Sequence, residues 1–151
     1  MDKIDIEILW TLRQSYPQAL GIQNMAKENK RLSLDDELKD KLQSLENDEI
    51  VKSANGKNGD KEYTITEKGD RLIWNGETWN MIFNLIKLTD PEKYTSNDIR
   101  RITDKSLVET VKNIEYLRKN LKIIEGQSKG FKLYFALSEK GRSFDSDSIP
   151  E

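Results

Sequence analysis

Apolar residues recur at helical spacing in three segments of the first half of the chain. The pattern predicts a first helix over 3–15, which ends before Pro17, and a short second helix over 21–29. A third helix over 34–48 keeps four leucines on one face, and Ser33 is its expected N-cap. This order of helices predicts a small helical core that lies ahead of any strand.

Two strands are predicted directly after these helices. Ile50 and Val51 open the first strand, and the alternating residues 61–65 form the return strand. The segment 55–59 between them contains Asn-Gly and a second glycine, which favours a hairpin turn. Thr66 then has the position of an N-cap for a further helix, so the first half is predicted to end in a helix.

The second half of the chain repeats this order of elements. Its predicted helices cover 78–88, a short segment capped by Ser96, and 105–120. Strands over 122–124 and 131–137 follow around a turn at 126–130, and Ser138 is expected to cap a last helix. On the third of these helices the residues expected to face inward are Leu107, Val108, Val111, Ile114 and Leu117.

The two halves also match residue by residue. Residues 63–69, Tyr-Thr-Ile-Thr-Glu-Lys-Gly, correspond to residues 135–141, Phe-Ala-Leu-Ser-Glu-Lys-Gly, at a shift of 72, and the best shift nearer each start is 74. Such internal similarity is typical of repeated domains. We therefore predict a mainly helical α+β fold of two units, 1–75 and 76–145, followed by a frayed acidic tail over 146–151.

Three helices, a two-stranded hairpin and a helix opened by Thr/Ser-Glu-Lys-Gly resemble a winged-helix domain. The two copies together are similar to tandem winged-helix regulators of prokaryotes, archaea included. The resemblance implies a DNA-binding transcriptional regulator in which the third helix of a unit enters the major groove. The Thr66 and Ser138 motifs have a structural role in this interpretation, because a Ser/Thr cap and a first-turn Glu stabilise a helix start.

Composition excludes several classes of function. The 151 residues contain neither Cys nor His, so disulfides, thiolate chemistry, a Ser-His-Asp triad and His- or Cys-ligated metals are excluded. We expect no enzymatic activity, no cofactor and no metal. No apolar run approaches the length of a membrane span, and the N-terminus lacks the apolar segment of a signal peptide, so we expect a cytoplasmic protein.

Charge separates the two predicted third helices. The helix over 34–48 has six carboxylates against two lysines, whereas 104–120 has four basic residues against three carboxylates. Because phosphates attract Lys and Arg, we expect double-stranded DNA to contact mainly the second unit. The candidate DNA-binding residues are Arg100, Arg101, Lys105, Ser106, Thr110, Lys112, Asn113, Lys129 and Lys132.

The acidic helix start of the first unit supports an alternative function. Asp35, Asp36 and Asp40 crowd the end of the helix that would meet DNA, where phosphates would repel them. They are candidate protein-binding residues in an assembly module, as in the tandem winged helices of ESCRT-II or those associated with condensin and RNA polymerase. A protein partner or a homodimer is open in this interpretation, and a monomer is as compatible with the sequence as a dimer.

Overall fold

A computed structural model describes residues 1–144, so the acidic tail predicted over 146–151 lies outside the described residues. Within that range the protein is α+β, with eight α-helices and two small antiparallel sheets. The chain divides into two compact units, and the boundary falls between Ile73 and Trp74. We call them unit 1 and unit 2 and describe each by itself.

Unit 1 contains four helices and a three-stranded sheet. Its elements in chain order are α1 (Lys3–Ser15), β1 (Leu20–Gly21), α2 (Ile22–Glu28), α3 (Asp36–Asn47), β2 (Val51–Asn55), β3 (Lys61–Ile65) and α4 (Glu67–Ile73). The sheet has the order β1-β3-β2, with Val51 opposite Ile65 and Leu20 opposite Tyr63. The alternate residues Tyr63 and Ile65 are buried, so one face of β3 belongs to the core.

The start of α1 is fixed by local hydrogen bonds. Asp2 caps the helix by accepting from the Asp5 N–H at 3.0 Å, and the Asp5 carboxylate accepts in return from the Asp2 N–H at 3.0 Å. The apolar residues that define its inner face, among them Ile8 and Leu12, are fully buried. The predicted first helix is therefore confirmed, and it ends before Pro17 as expected.

Two features of unit 1 differ from the sequence prediction. The N-cap of α3 is Asp35 and not Ser33, because the Asp35 carboxylate accepts from the Leu38 N–H at 3.0 Å. Leu34 therefore precedes the helix and is 61% exposed instead of lying on its inner face. The short strand β1 was not predicted, since two residues are too few to show an alternating pattern.

Unit 2 contains four α-helices, a π-helical turn and a two-stranded sheet among the described residues. In chain order these are α5 (Thr78–Leu88), α6 (Ser96–Thr103), α7 (Leu107–Glu115), the π-helix Tyr116–Leu121, β4 (Ile124–Lys129), β5 (Lys132–Leu137) and α8 (Glu139–Arg142). The hairpin β4–β5 is antiparallel, with Ile124 opposite Leu137. Tyr94 pairs with Phe135 through two backbone hydrogen bonds of 2.9 and 2.7 Å, along the outer edge of β5.

The β4–β5 hairpin is longer than the sequence predicts. Its turn is only Gly130 and Phe131, and Gly126 lies inside β4 and not in the turn. A Cβ at position 126 would lie 3.3 Å from Leu133 on the facing strand, so glycine at this position leaves room for that side chain. The α6 N-cap likewise differs from the prediction by one residue, because Thr95 and not Ser96 caps the helix.

The junctions that follow β3 and β5 are built from the Glu-Lys-Gly motifs. Thr66 Oγ1 accepts from the Gly69 N–H at 3.0 Å and donates to the Glu49 carbonyl at 2.7 Å, with the Ile50 carbonyl also within reach at 2.9 Å. Ser138 Oγ accepts from the Gly141 N–H at 3.0 Å and donates to the Lys122 carbonyl at 2.8 Å. The predicted capping roles of Thr66 and Ser138 are confirmed, and each hydroxyl also ties its helix back to the chain before the hairpin.

Candidate nucleic-acid interface

The candidate interface of unit 2 is centred on the start of α7. The preceding helix α6 ends at Thr103, and Asp104 turns the chain with a left-handed backbone, φ 54°. Ser106 then caps α7 by accepting from the Glu109 N–H at 3.1 Å. The Ser106 hydroxyl predicted to contact DNA therefore already serves the helix start, although the residue remains exposed.

The inner face of α7 is set by Thr110, Ile114 and Leu117, which are 0%, 2% and 0% exposed. The predicted DNA contact of Thr110 is therefore wrong, and the predicted contact of Asn113 is less favourable than the sequence indicates. Thr110 is fully buried and cannot reach a base, and Asn113 is half-buried and donates to the Glu109 carbonyl at 2.8 Å. The reason is helical phase: once Ile114 and Leu117 pack into the core, the residue four positions before Ile114 must face inward as well.

Three residues of α7 that were predicted to lie in the core are exposed instead. Leu107, Val108 and Val111 are 48%, 81% and 43% exposed, so the prediction that they are buried is wrong. They form the exposed apolar face of the first two turns of α7, and we refer to these three residues as the α7 apolar face. Its existence was missed because aliphatic residues at helical spacing were assigned to the core.

Basic side chains border this part of unit 2. Ile99 and Ile102 of α6 face the core, which leaves Arg100 and Arg101 exposed in its last turn. Lys105 is half-buried, and its Nζ lies 5.9 Å from the centroid of the Trp74 ring. Lys112, on α7, is exposed.

The end of the β4–β5 hairpin has a second pair of basic residues. Lys129 and Lys132 are direct cross-strand partners, both exposed, on either side of the two-residue turn. Gly130 has a left-handed backbone with φ 64°, and Phe131 is fully exposed at the tip. Like charges opposite each other destabilise a hairpin, so this pair does not serve the fold.

Carboxylates near α7 are mostly engaged by neighbouring groups. Glu109 accepts from the Thr78 hydroxyl at 3.2 Å, and Glu115 pairs with Arg118 at 3.1 Å and Lys119 at 2.8 Å. The hydrogen bonds from Lys119 and then Arg118 lower the pKa of Glu115 below its usual value. In contrast, among residues 1–144 no carboxylate lies in ion-pair contact with Arg100, Lys112, Lys129 or Lys132.

The candidate protein-binding residues lie at the exposed start of α3 in unit 1. Asp35 is used as the N-cap, which gives it a structural role, whereas Asp36 and Asp40 are exposed and project from the first turns. Carboxylates at this end also favour the helix dipole. The structure therefore places all three residues on one helix start, with Leu34 exposed next to them.

No group of three or more Asp, Glu, His or Cys residues within the described range has the geometry to hold a metal ion. None of the helices over residues 1–144 combines the length and apolar character needed to cross a membrane. No protein-family model and no curated protein matches this chain.

Proposed function

We propose that the protein is a tandem winged-helix protein that binds double-stranded DNA mainly through unit 2. Support for the winged-helix part comes from the order of elements, in which helices precede a hairpin and a short helix closes each unit. The sequence shift of 72 residues and the matching hydrogen bonds of Thr66 and Ser138 favour a repeat.

The observation that carries the DNA-binding proposal is the set of exposed basic groups without carboxylate partners in unit 2. Arg100, Lys112, Lys129 and Lys132 come from two helices and a hairpin, and each is exposed. An unpaired Lys or Arg at a surface is available to a phosphate, and neutralising phosphates releases condensed counterions. Unit 2 therefore has the groups that sequence-independent binding requires.

The exposed side chains of unit 2 favour contacts with the phosphate backbone of DNA over hydrogen bonds to the bases. With Thr110 buried and Asn113 turned to the Glu109 carbonyl, Lys112 is the exposed polar residue on the first two turns of α7. Phosphate contacts set register and orientation but carry little sequence information. We therefore expect affinity that depends strongly on salt and only modestly on hydrogen-bond patterns in the groove.

Fluorescence anisotropy with a random-sequence duplex, at about 50 mM and about 200 mM salt, tests this proposal. We expect salt-sensitive binding that weakens at least tenfold in the double variant Lys129→Glu/Lys132→Glu. The matched control is Lys27→Glu/Lys30→Glu in unit 1, which changes net charge equally at exposed positions and is expected to retain most of the affinity. Equal losses in both variants, or no binding by the unaltered protein at low salt, would contradict the proposal.

A second candidate function is protein assembly through the start of α3. The observation in its favour is that Asp36 and Asp40 are exposed and, within residues 1–144, make no ion pair, while Leu34 beside them is 61% exposed. An apolar residue with an acidic rim fits a basic protein surface better than it fits DNA. Capture of a protein by the unaltered chain, lost with Asp36→Lys/Asp40→Lys, would support it, and capture of nucleic acid alone would count against it.

A further inference from the structure

The α7 apolar face is an exposed aliphatic feature of unit 2 that the proposed function leaves unexplained. Val108 is 81% exposed, and Leu107 and Val111 on either side are 48% and 43% exposed. A valine has no advantage over a polar residue in an exposed helix position, because its branched side chain lowers helix propensity. The fold therefore does not explain why three aliphatic residues stand at this place.

The surroundings of the α7 apolar face indicate the charge of what covers it. Lys105 lies two residues before the first residue of α7, Lys112 follows Val111, and Arg100 and Arg101 lie in the last turn of α6. Of the nearby carboxylates, Glu115 is paired with Arg118 and Lys119, whereas Glu109 accepts a hydrogen bond from Thr78 and keeps its charge. Asp104 stays exposed at the turn, so four basic residues face two unneutralised carboxylates. An apolar face with a mostly cationic rim is complementary to an anionic partner that carries apolar groups.

The major groove of DNA has this combination of properties. Its edges are phosphates, and its floor carries one kind of apolar group, the 5-methyl group of thymine. An α-helix with side chains is about 10–12 Å across, and the groove is about 12 Å wide. Three aliphatic side chains on the first two turns of a helix would meet methyl groups there, and no hydrogen-bonding side chain is needed.

We propose that Leu107, Val108 and Val111 recognise the methyl groups of thymines in the major groove, so that the preferred ligand is thymine-rich duplex DNA. This inference rests on the proposed DNA binding of unit 2 and adds the chemical feature that α7 reads. The selectivity comes from removing methyl and aliphatic surface from water and not from paired donors and acceptors. We therefore expect similar affinity for duplexes that differ in base order, as long as thymine methyl groups line the bound site.

Replacing thymine by deoxyuridine in a thymine-rich duplex tests this inference, because it removes the 5-methyl groups and leaves every donor and acceptor. We expect the Kd to rise about fourfold for each methyl group contacted. In the variant Val108→Thr/Val111→Thr, which keeps side-chain shape but exchanges one methyl group of each valine for a hydroxyl, we expect the Kd difference between the two duplexes to become smaller. Both positions are exposed, so folding is expected to be unchanged within about 0.5 kcal/mol.

Leu34→Gln is the matched control, since Leu34 is an exposed aliphatic residue of unit 1 and should leave the thymine preference intact. Equal Kd values of the unaltered protein for both duplexes would overturn the inference while DNA binding stands. Absence of binding to either duplex contradicts the proposed function itself, and the inference falls with it. Self-association that is lost in the Val108→Thr/Val111→Thr variant would show a second copy covering the face, and would also overturn it.

Discussion

Gly141 and Ile123 are in backbone contact: a Cβ added at position 141 would lie 2.1 Å from the Ile123 carbonyl oxygen. The same oxygen accepts from the Ser138 N–H at 3.1 Å, so the start of α8 is held against the residue before β4. In unit 1 a Cβ at Gly69 would lie 2.3 Å from the Ile50 carbonyl oxygen. Both glycines of the Glu-Lys-Gly motifs are required by this close approach and not by backbone conformation.

Gly141→Ala is expected to destabilise unit 2 by about 2 kcal/mol, because the new methyl group must push backbone apart. Urea unfolding followed by circular dichroism measures the change. The exposed neighbour Lys140→Ala is the control, with an expected change within about 0.5 kcal/mol. A Gly141→Ala midpoint equal to that of the control would show that the contact is not tight in solution.

Thr110→Val is expected to stabilise the protein by about 1 kcal/mol. The Thr110 hydroxyl is buried and has no hydrogen-bond partner in the described part of the chain, and valine keeps its shape without the unsatisfied group. Thermal or urea unfolding measures the gain. The opposite exchange, Val108→Thr, serves as the control at an exposed position and should change little; a loss of stability in Thr110→Val would indicate a partner for the hydroxyl.

Lys132→Glu is expected to change stability and DNA affinity in opposite directions. It replaces a like-charged cross-strand pair with Lys129 by an opposite-charged pair, which should stabilise the hairpin by about 0.5 kcal/mol. The same change removes a proposed phosphate contact, so binding should weaken and the salt slope should fall by about 1. Urea unfolding and fluorescence anisotropy of the same sample compare the two effects. An unaltered DNA affinity would show that Lys132 is not part of the interface.

Lys41→Met is expected to lower stability at neutral pH by about 0.5–1 kcal/mol, the range of surface ion pairs. Lys41 of α3 hydrogen-bonds Asp2 and lies 3.9 Å from Asp5. Burial opposes its charge, but Asp2 and then Asp5 raise the pKa of Lys41 above 10.5. Burial alone would raise the pKa of Asp2, but the hydrogen bonds from Lys41 and the Asp5 N–H bring this pKa below 3.8.

The sign of the pH dependence follows from these shifts. The raised pKa of Lys41 stabilises the fold below pH 10.5, and this stabilisation is lost as the pH rises through the pKa of the folded state. The lowered pKa of Asp2 stabilises the fold above pH 3.8, and this stabilisation is lost as the pH falls through the pKa of the folded state. Burial and then the charge of Asp2 raise the pKa of Asp5, so ionised Asp5 lowers the stability of the fold at neutral pH. Unfolding curves of Lys41→Met and the unaltered protein should therefore differ near neutrality and converge at both extremes of pH.

Most elements of the fold could be predicted from the sequence because their signals are local. Pro17, the Asn-Gly turn and the Thr66 and Ser138 caps mark boundaries through backbone chemistry that acts within four residues. The two-residue strand β1 and the Tyr94 bridge could not be predicted, because both depend on a partner strand distant in sequence. The pattern of apolar and polar residues within a short segment does not show which distant strand will pair with it.

The candidate site was predicted less well, and one missed signal was available. At the 72-residue shift Leu38 falls on Thr110, and Leu38 is 2% exposed, so the correspondence itself indicates that Thr110 faces inward. Hydrophobicity favoured Val108 and Val111 as core residues instead. The basic candidate residues other than the half-buried Lys105 are exposed as predicted, because the cost of burying a charge keeps Lys and Arg at the surface.

The Tyr94–Phe135 backbone bridge and the short strand β1 have a consequence for aggregation. Each covers the outer edge of a return strand, β5 in unit 2 and β3 in unit 1, where unpaired N–H and C=O groups could otherwise recruit a strand from another molecule. The opposite edges, β2 and β4, have exposed lysines at Lys52 and Lys129, which repel a like-charged copy. Concentrated solutions of the folded protein should therefore resist amyloid-like growth, and removing the Tyr94 pairing should open a route to it.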